Sequence, residues 1–121
     1  MRLPIALGLS WPERLDDVAA PCAWTDPTAW TFEPLDETVF GAVRLARQVA
    51  EASGTHPAVY NAANEECVAA FLAGRIGFLD IVGTVEQVVA EHQAAGTLTL
   101  EAVLDAEVWA RRRAQELLAR R

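Results

Sequence analysis

All six prolines lie in the first 57 residues, and none follows Pro57. Inside a helix, proline removes a backbone donor and clashes with the turn before it, so this distribution separates an irregular first part from a second part free to form long helices. The boundary falls near Leu35. Residues 1–35 read as an arm and residues 36–121 as a helical bundle domain.

Within the arm, Leu3–Ser10 is apolar with proline near its start, which predicts one or two helical turns that Trp11-Pro12 ends. Glu13–Pro27 has no sustained period and reads as loop. Thr28–Pro34 alternates: Trp30 and Phe32 share one face, and Thr31 and Glu33 share the other, the pattern of a β-strand. A lone strand cannot satisfy its own ladder, and two large rings on one face need cover. No second strand is visible in the sequence. Two structural roles follow for Trp30 and Phe32: the strand edge pairs with a second copy of the chain, or it belongs to the sheet of a larger protein.

After Asp36 the period is helical. Asp36 is placed to cap a helix running to about Ala52, with Val39, Val43, Ala46 and Val49 or Ala50 inward, Arg44 and Arg47 outward, and Gly54 as the stop. Asn61 is read as the N-cap of a second helix, NAANEECVAAFLAG, with Glu65 in its first turn near the positive end of the dipole. Asn64, Val68, Phe71 and Leu72 recur at helical spacing, so Asn64 is a structural amide at the edge of an apolar stripe that must find hydrogen-bond partners. A third helix starts at Asp80 and carries Ile81, Val82, Val85, Val88 and Val89. Thr99 caps a last one, which can restart at Asp105. The expected fold is mainly α: a small four-helix bundle preceded by an irregular arm with one short helix and one β-strand.

Fifty-two per cent of residues are hydrophobic, but 23 are alanine, so the core must lean on the larger apolar side chains. The net charge is −7 and every cation is arginine, which disfavours nucleic acid or an anionic membrane as partner. The apolar run Leu3–Leu9 is too short to span a bilayer. Cys22 and Cys67 share no CxxC spacing and read as separate reduced thiols of a cytoplasmic protein.

The search for chemistry gives negatives. His56 and His92 are the only histidines and have no metal-spaced partner, so they read as surface residues and no metal ligand is assigned. Asp16-Asp17 and Glu65-Glu66 are adjacent pairs that point apart. No phosphate-cradling glycine loop occurs, Ser10 and Ser53 lie in no nucleophile elbow, and Cys67 reads as packing. Arg111–Arg113 with Arg120-Arg121 reads as a solvated helix end matched to the dipole. No catalytic residue is assigned.

MRLPIALGLSWPERL, TAWTFEPLD, NAANEECVAAFLAGRIGFLDI and DAEVWARRRAQELL together resemble, in order and over nearly the whole chain, the C-terminal portion of the 1-deoxy-D-xylulose 5-phosphate reductoisomerase family. The resemblance implies an NADPH- and Mn²⁺- or Mg²⁺-dependent enzyme of non-mevalonate isoprenoid biosynthesis. Its nucleotide-binding and catalytic domains would lie upstream, over roughly 260 to 280 residues, so none of their metal or substrate ligands maps here. It implies that the segment like Met1–Pro4 leaves the catalytic domain beside cofactor and substrate, which marks Met1 for cofactor contact in the intact enzyme. It also implies that the Thr28–Pro34 strand belongs to the catalytic domain's sheet, and that this domain is the bundle's partner. The alternative is a free-standing helical interaction module that dimerises through its strand edge.

Overall fold

A computed structural model describes residues 1–94 and 96–120, which hold five helices: α1 (Arg2–Ser10), α2 (Ala42–Ala52), α3 (His56–Leu72), α4 (Phe78–Glu91) and α5 (Leu100–Leu118). They fall into two units, Met1–Pro34 and Leu35–Arg121.

In the first unit α1 ends where the Ser10 hydroxyl lies 3.0 Å from the Ala6 carbonyl and 2.7 Å from that of Glu13. Beyond it no regular element forms. The expected strand over Thr28–Pro34 is absent, and among the described residues there is no strand at all. Trp30 and Phe32 stand 70% and 86% exposed, with Trp24 the ring beside Trp30 at 6.4 Å. The cause is the one that made the lone strand suspect: without a ladder partner the extended backbone gains no hydrogen bonds, and Pro27 and Pro34 remove donors at both ends.

The second unit is built around α3, which packs against α5, α4 and α2. The helix starts five residues before Asn61, at His56, with Pro57 in the first turn, where the missing N–H is unused and the fixed φ suits the helix. Asn61 is therefore not a cap, and Glu65 is not in the first turn. Gly74, at φ +70°, ends α3: its N–H donates to Phe71 O, and that of Arg75 donates to Ala70 O at 3.0 Å, closing both orphan carbonyls.

Asp36 caps a turn rather than a helix. Its Oδ1 accepts from the Thr38 N–H at 2.9 Å and from the Thr38 hydroxyl at 2.6 Å, and α2 begins only at Ala42. The buried face of α2 is then Leu45 and Val49, while Val39 and Val43 are exposed. Asp80 sits in the first turn of α4, its Oδ2 accepting from the Gly77 N–H at 2.9 Å. Thr99 caps α5 through Oγ1, which accepts from the Ala102 N–H at 3.1 Å. No restart occurs at Asp105, and Arg111–Arg113 lie inside α5 rather than at its end.

The core joins Val59, Ala62, Ala63 and Cys67 of α3 to Ile81, Val85 and Val88 of α4 and to Ala106, Ala110 and Ala114 of α5, with Leu45 and Val49 from α2. Val68 and Phe71 pack against its margin, and Leu72 is exposed. One polar atom in this core has no partner among the described residues: Oγ1 of the fully buried Thr84. A buried hydroxyl without a hydrogen bond costs about 1 to 3 kcal/mol, whereas valine fills the same volume with a methyl group. Thr84→Val is expected to raise the unfolding free energy by about 1 kcal/mol in urea melts, and a loss of stability would mean the hydroxyl is satisfied.

Candidate functional site

Three groups of side chains stand out, one in the first unit and two in the second. In the first unit no residue is buried, and Met1, Leu3, Ile5, Leu9, Trp11, Leu15, Trp24, Trp30 and Phe32 are all exposed. Met1, marked for cofactor contact, is the cap of α1 and 92% exposed. That much bare apolar surface on a stretch of this length is the mark of a docking face.

In the second unit Asn61 and Glu65 sit one turn apart, and the Asn61 amide donates to Glu65 Oε1 at 2.9 Å. The other Glu65 oxygen accepts from Arg111 at 2.6 Å. Arg111 also reaches Glu66 at 3.3 Å and Glu107 at 3.7 Å, and Gln115 donates to Glu66 Oε2 at 2.9 Å. The Arg111 bonds, then that of Asn61, hold the Glu65 carboxyl below its ordinary range. Arg113 grips Glu91 of α4 with two bonds, at 2.6 and 2.9 Å, and lowers that carboxyl in the same way. These arginines therefore fix α5 to α3 and α4 and are not free for phosphate. Exposed pairs add little stability, so their use is to set register. Asn64 is half-buried on α3, and no hydrogen bond to its side chain forms among the described residues.

The third group is one that spacing along the chain does not reveal. His56 and His92 are 36 positions apart in sequence, yet their rings meet edge to face at 5.0 Å. His92 Nε2 lies 2.8 Å from the Oγ1 of buried Thr55, and its ring is 5.4 Å from that of Trp109. Thr55, His92 and Trp109 line a groove of 450 Å³ with Glu91, Asp105 and Ala106. Burial first, then the charge of His56, keeps the His92 imidazole below its ordinary pKa. The signal in the sequence was positional: Thr55-His56-Pro57 opens α3 and His92 closes α4, so a short bundle brings them to one end. They are not loose surface residues.

Cys67 is buried in the core, and Cys22 is exposed and unbridged. Among the described residues no three His, Cys, Asp or Glu side chains could hold a metal ion, and no helix is long and apolar enough to cross a membrane.

The family model of the DXP reductoisomerase C-terminal domain matches residues 1–113. The 1-deoxy-D-xylulose 5-phosphate reductoisomerase of Arthrobacter sp. (strain FB24) is 60% identical over 119 residues, 98% of this chain and 30% of that protein. That of Cutibacterium acnes is 57% identical, over 99% of this chain and 33% of its own length. The solved structure of the Zymomonas mobilis reductoisomerase in complex with NADPH matches at a TM-score of 0.76 and 39% identity, covering 96% of this chain and 31% of that one. The chain thus spans about a third of the length of these relatives. With 113 of its residues inside the family's C-terminal domain and its helices superimposing on a solved member, the chain belongs to the 1-deoxy-D-xylulose 5-phosphate reductoisomerase family, as a C-terminal portion.

Proposed function

We propose that this chain is the structural C-terminal domain of an NADPH- and divalent-metal-dependent 1-deoxy-D-xylulose 5-phosphate reductoisomerase of isoprenoid biosynthesis, and that it supports the catalytic domain without performing chemistry alone. The observation that carries this reading is the arm. Thirty-four residues with none buried and four exposed aromatic rings fit a segment whose cover lies on another domain. Residues 1–34 are then the arm that docks on that domain, and the helices from Asp36 on are the domain it tethers.

The residues present do not fit the metal, since no three donors converge among those described. The sequence offers no glycine loop for the pyrophosphate of NADPH either. Met1 is the one residue proposed to approach the cofactor, and only in the intact enzyme. Titrating the chain with NADPH and with Mn²⁺ in a calorimeter is expected to give no heat beyond dilution. Micromolar binding of either would show that part of the catalytic apparatus resides here.

Separated from the catalytic domain, the bare arm is expected to self-associate, because each large ring covers on the order of 150 to 250 Å² when buried. Sedimentation velocity over a concentration series should show dimers that Trp30→Ser with Phe32→Ser converts to monomer, while the helical circular dichroism is unchanged. A parent chain that stays monomeric at high concentration contradicts this.

A further inference from the structure

Three helices and a turn meet at His92. It is the C-cap of α4, its ring stands against Trp109 of α5 and His56 of α3, and Nε2 faces a Thr55 hydroxyl that is 2% exposed in the α2–α3 turn. His56 faces the same turn from the other side. Its Nδ1 is 3.1 Å from the Ser53 carbonyl, which can only accept, so that nitrogen carries the proton. The two rings together tie the turn between α2 and α3 to the C-terminal end of α4 and the middle of α5, and the structural role proposed above uses neither.

We propose that His56 and His92 form a pH-sensitive latch, which holds the α2–α3 turn against α4 and α5 while His92 is neutral and loosens when His92 takes up a proton. The latch needs neutral His92 to carry its proton on Nδ1, so that Nε2 accepts from the Thr55 hydroxyl; once both nitrogens carry hydrogen, Nε2 can only donate, and the hydroxyl's own proton must find a new acceptor at a buried position. The cation would also be half-buried and within 5.0 Å of a second imidazole.

The charges facing His92 do not reverse this. Glu91, its neighbour on α4, is already held by Arg113 of α5, which brings a cation of its own. Asp105 of α5 lines the same groove but is exposed, so water and salt screen it. The Trp109 ring, 5.4 Å away and tilted, is the one neighbour that would favour the cation, while burial first and then His56 lower the His92 pKa. A depressed pKa means that the latch is complete above the ordinary imidazole value of about 6.5 and is lost as the pH falls through the lower folded value.

The test is an NMR titration of the 121-residue chain, following the His92 ring and the exchange protection of the Val59 amide, which donates to Thr55 O at 3.1 Å. Protection is expected to drop about tenfold as the pH falls below the ordinary imidazole value of about 6.5, in step with His92 protonation. His92→Gln keeps a donor and an acceptor but does not titrate, and should leave protection flat over that range. His56→Gln removes the neighbouring charge and should move the His92 midpoint upward. Constant protection in the parent, the same acid loss in His92→Gln, or a midpoint that His56→Gln leaves in place would each overturn the latch.

Discussion

Replacing Ala110 by leucine is expected to lower the unfolding free energy by about 3 kcal/mol, the upper end for overpacking a closed core. Ala106, Ala110 and Ala114 recur every four residues on α5 and are buried, as are Ala63, Cys67 and Ala70 on α3, so two faces of small side chains meet along the seam. Each alanine buries little area. Their effect is to let the two backbones approach, which brings the larger Val59, Val85 and Val88 into one cluster and Arg111 within reach of Glu65. A leucine at position 110 has no open volume to enter and must push α5 away. Ala90→Leu, on the exposed face of α4, is the control and should change stability by no more than about 0.5 kcal/mol. Urea melts followed by circular dichroism decide the matter, and equal midpoints for parent and Ala110→Leu would mean that the seam is loosely packed.

This seam also explains which parts of the fold were legible in the sequence. The third and fourth bundle helices were, because Ile81, Val85 and Val88 form a stripe of large residues and Thr99 is a strong cap. The buried face of α3 was misjudged. The stripe through Asn64, Val68, Phe71 and Leu72 followed side-chain size, whereas the burial follows Val59, which precedes the expected helix start, and Ala62, Ala63, Cys67 and Ala70, whose small side chains carry a weak hydropathy signal but permit close approach. In α2 the cause was the helix start: with Asp36 read as a helix cap instead of the head of a turn, the inward face was set on Val39 and Val43 and missed Leu45.

Asn61 misled for a related reason: a good capping residue outranked the weaker sign that Pro57 suits a first turn. Its bond to Glu65, and through Glu65 to Arg111, depends on α5 being alongside, which no local pattern reports. The histidine pair has no local pattern either, and only the positions of His56 at the start of α3 and His92 at the end of α4 point to it. Trp30 and Phe32, singled out as needing cover, are exposed, and alternation alone does not make a strand when no ladder partner is at hand.

The central claim is that this chain supplies support and not chemistry to a reductoisomerase. It is tested by the rate of NADPH oxidation with 1-deoxy-D-xylulose 5-phosphate in two forms of the Arthrobacter relative, one ending where the matching 30% begins and one with this chain joined there in place of its own segment. The shortened form is expected to be inactive, because the face that the arm is proposed to cover would be left open. The joined form is expected to turn over within about tenfold of the intact relative, or about 1.4 kcal/mol in the activation barrier. A shortened form as active as the intact protein would show that the domain gives no support, and a joined form that folds yet stays inactive would show that this chain is not its equivalent.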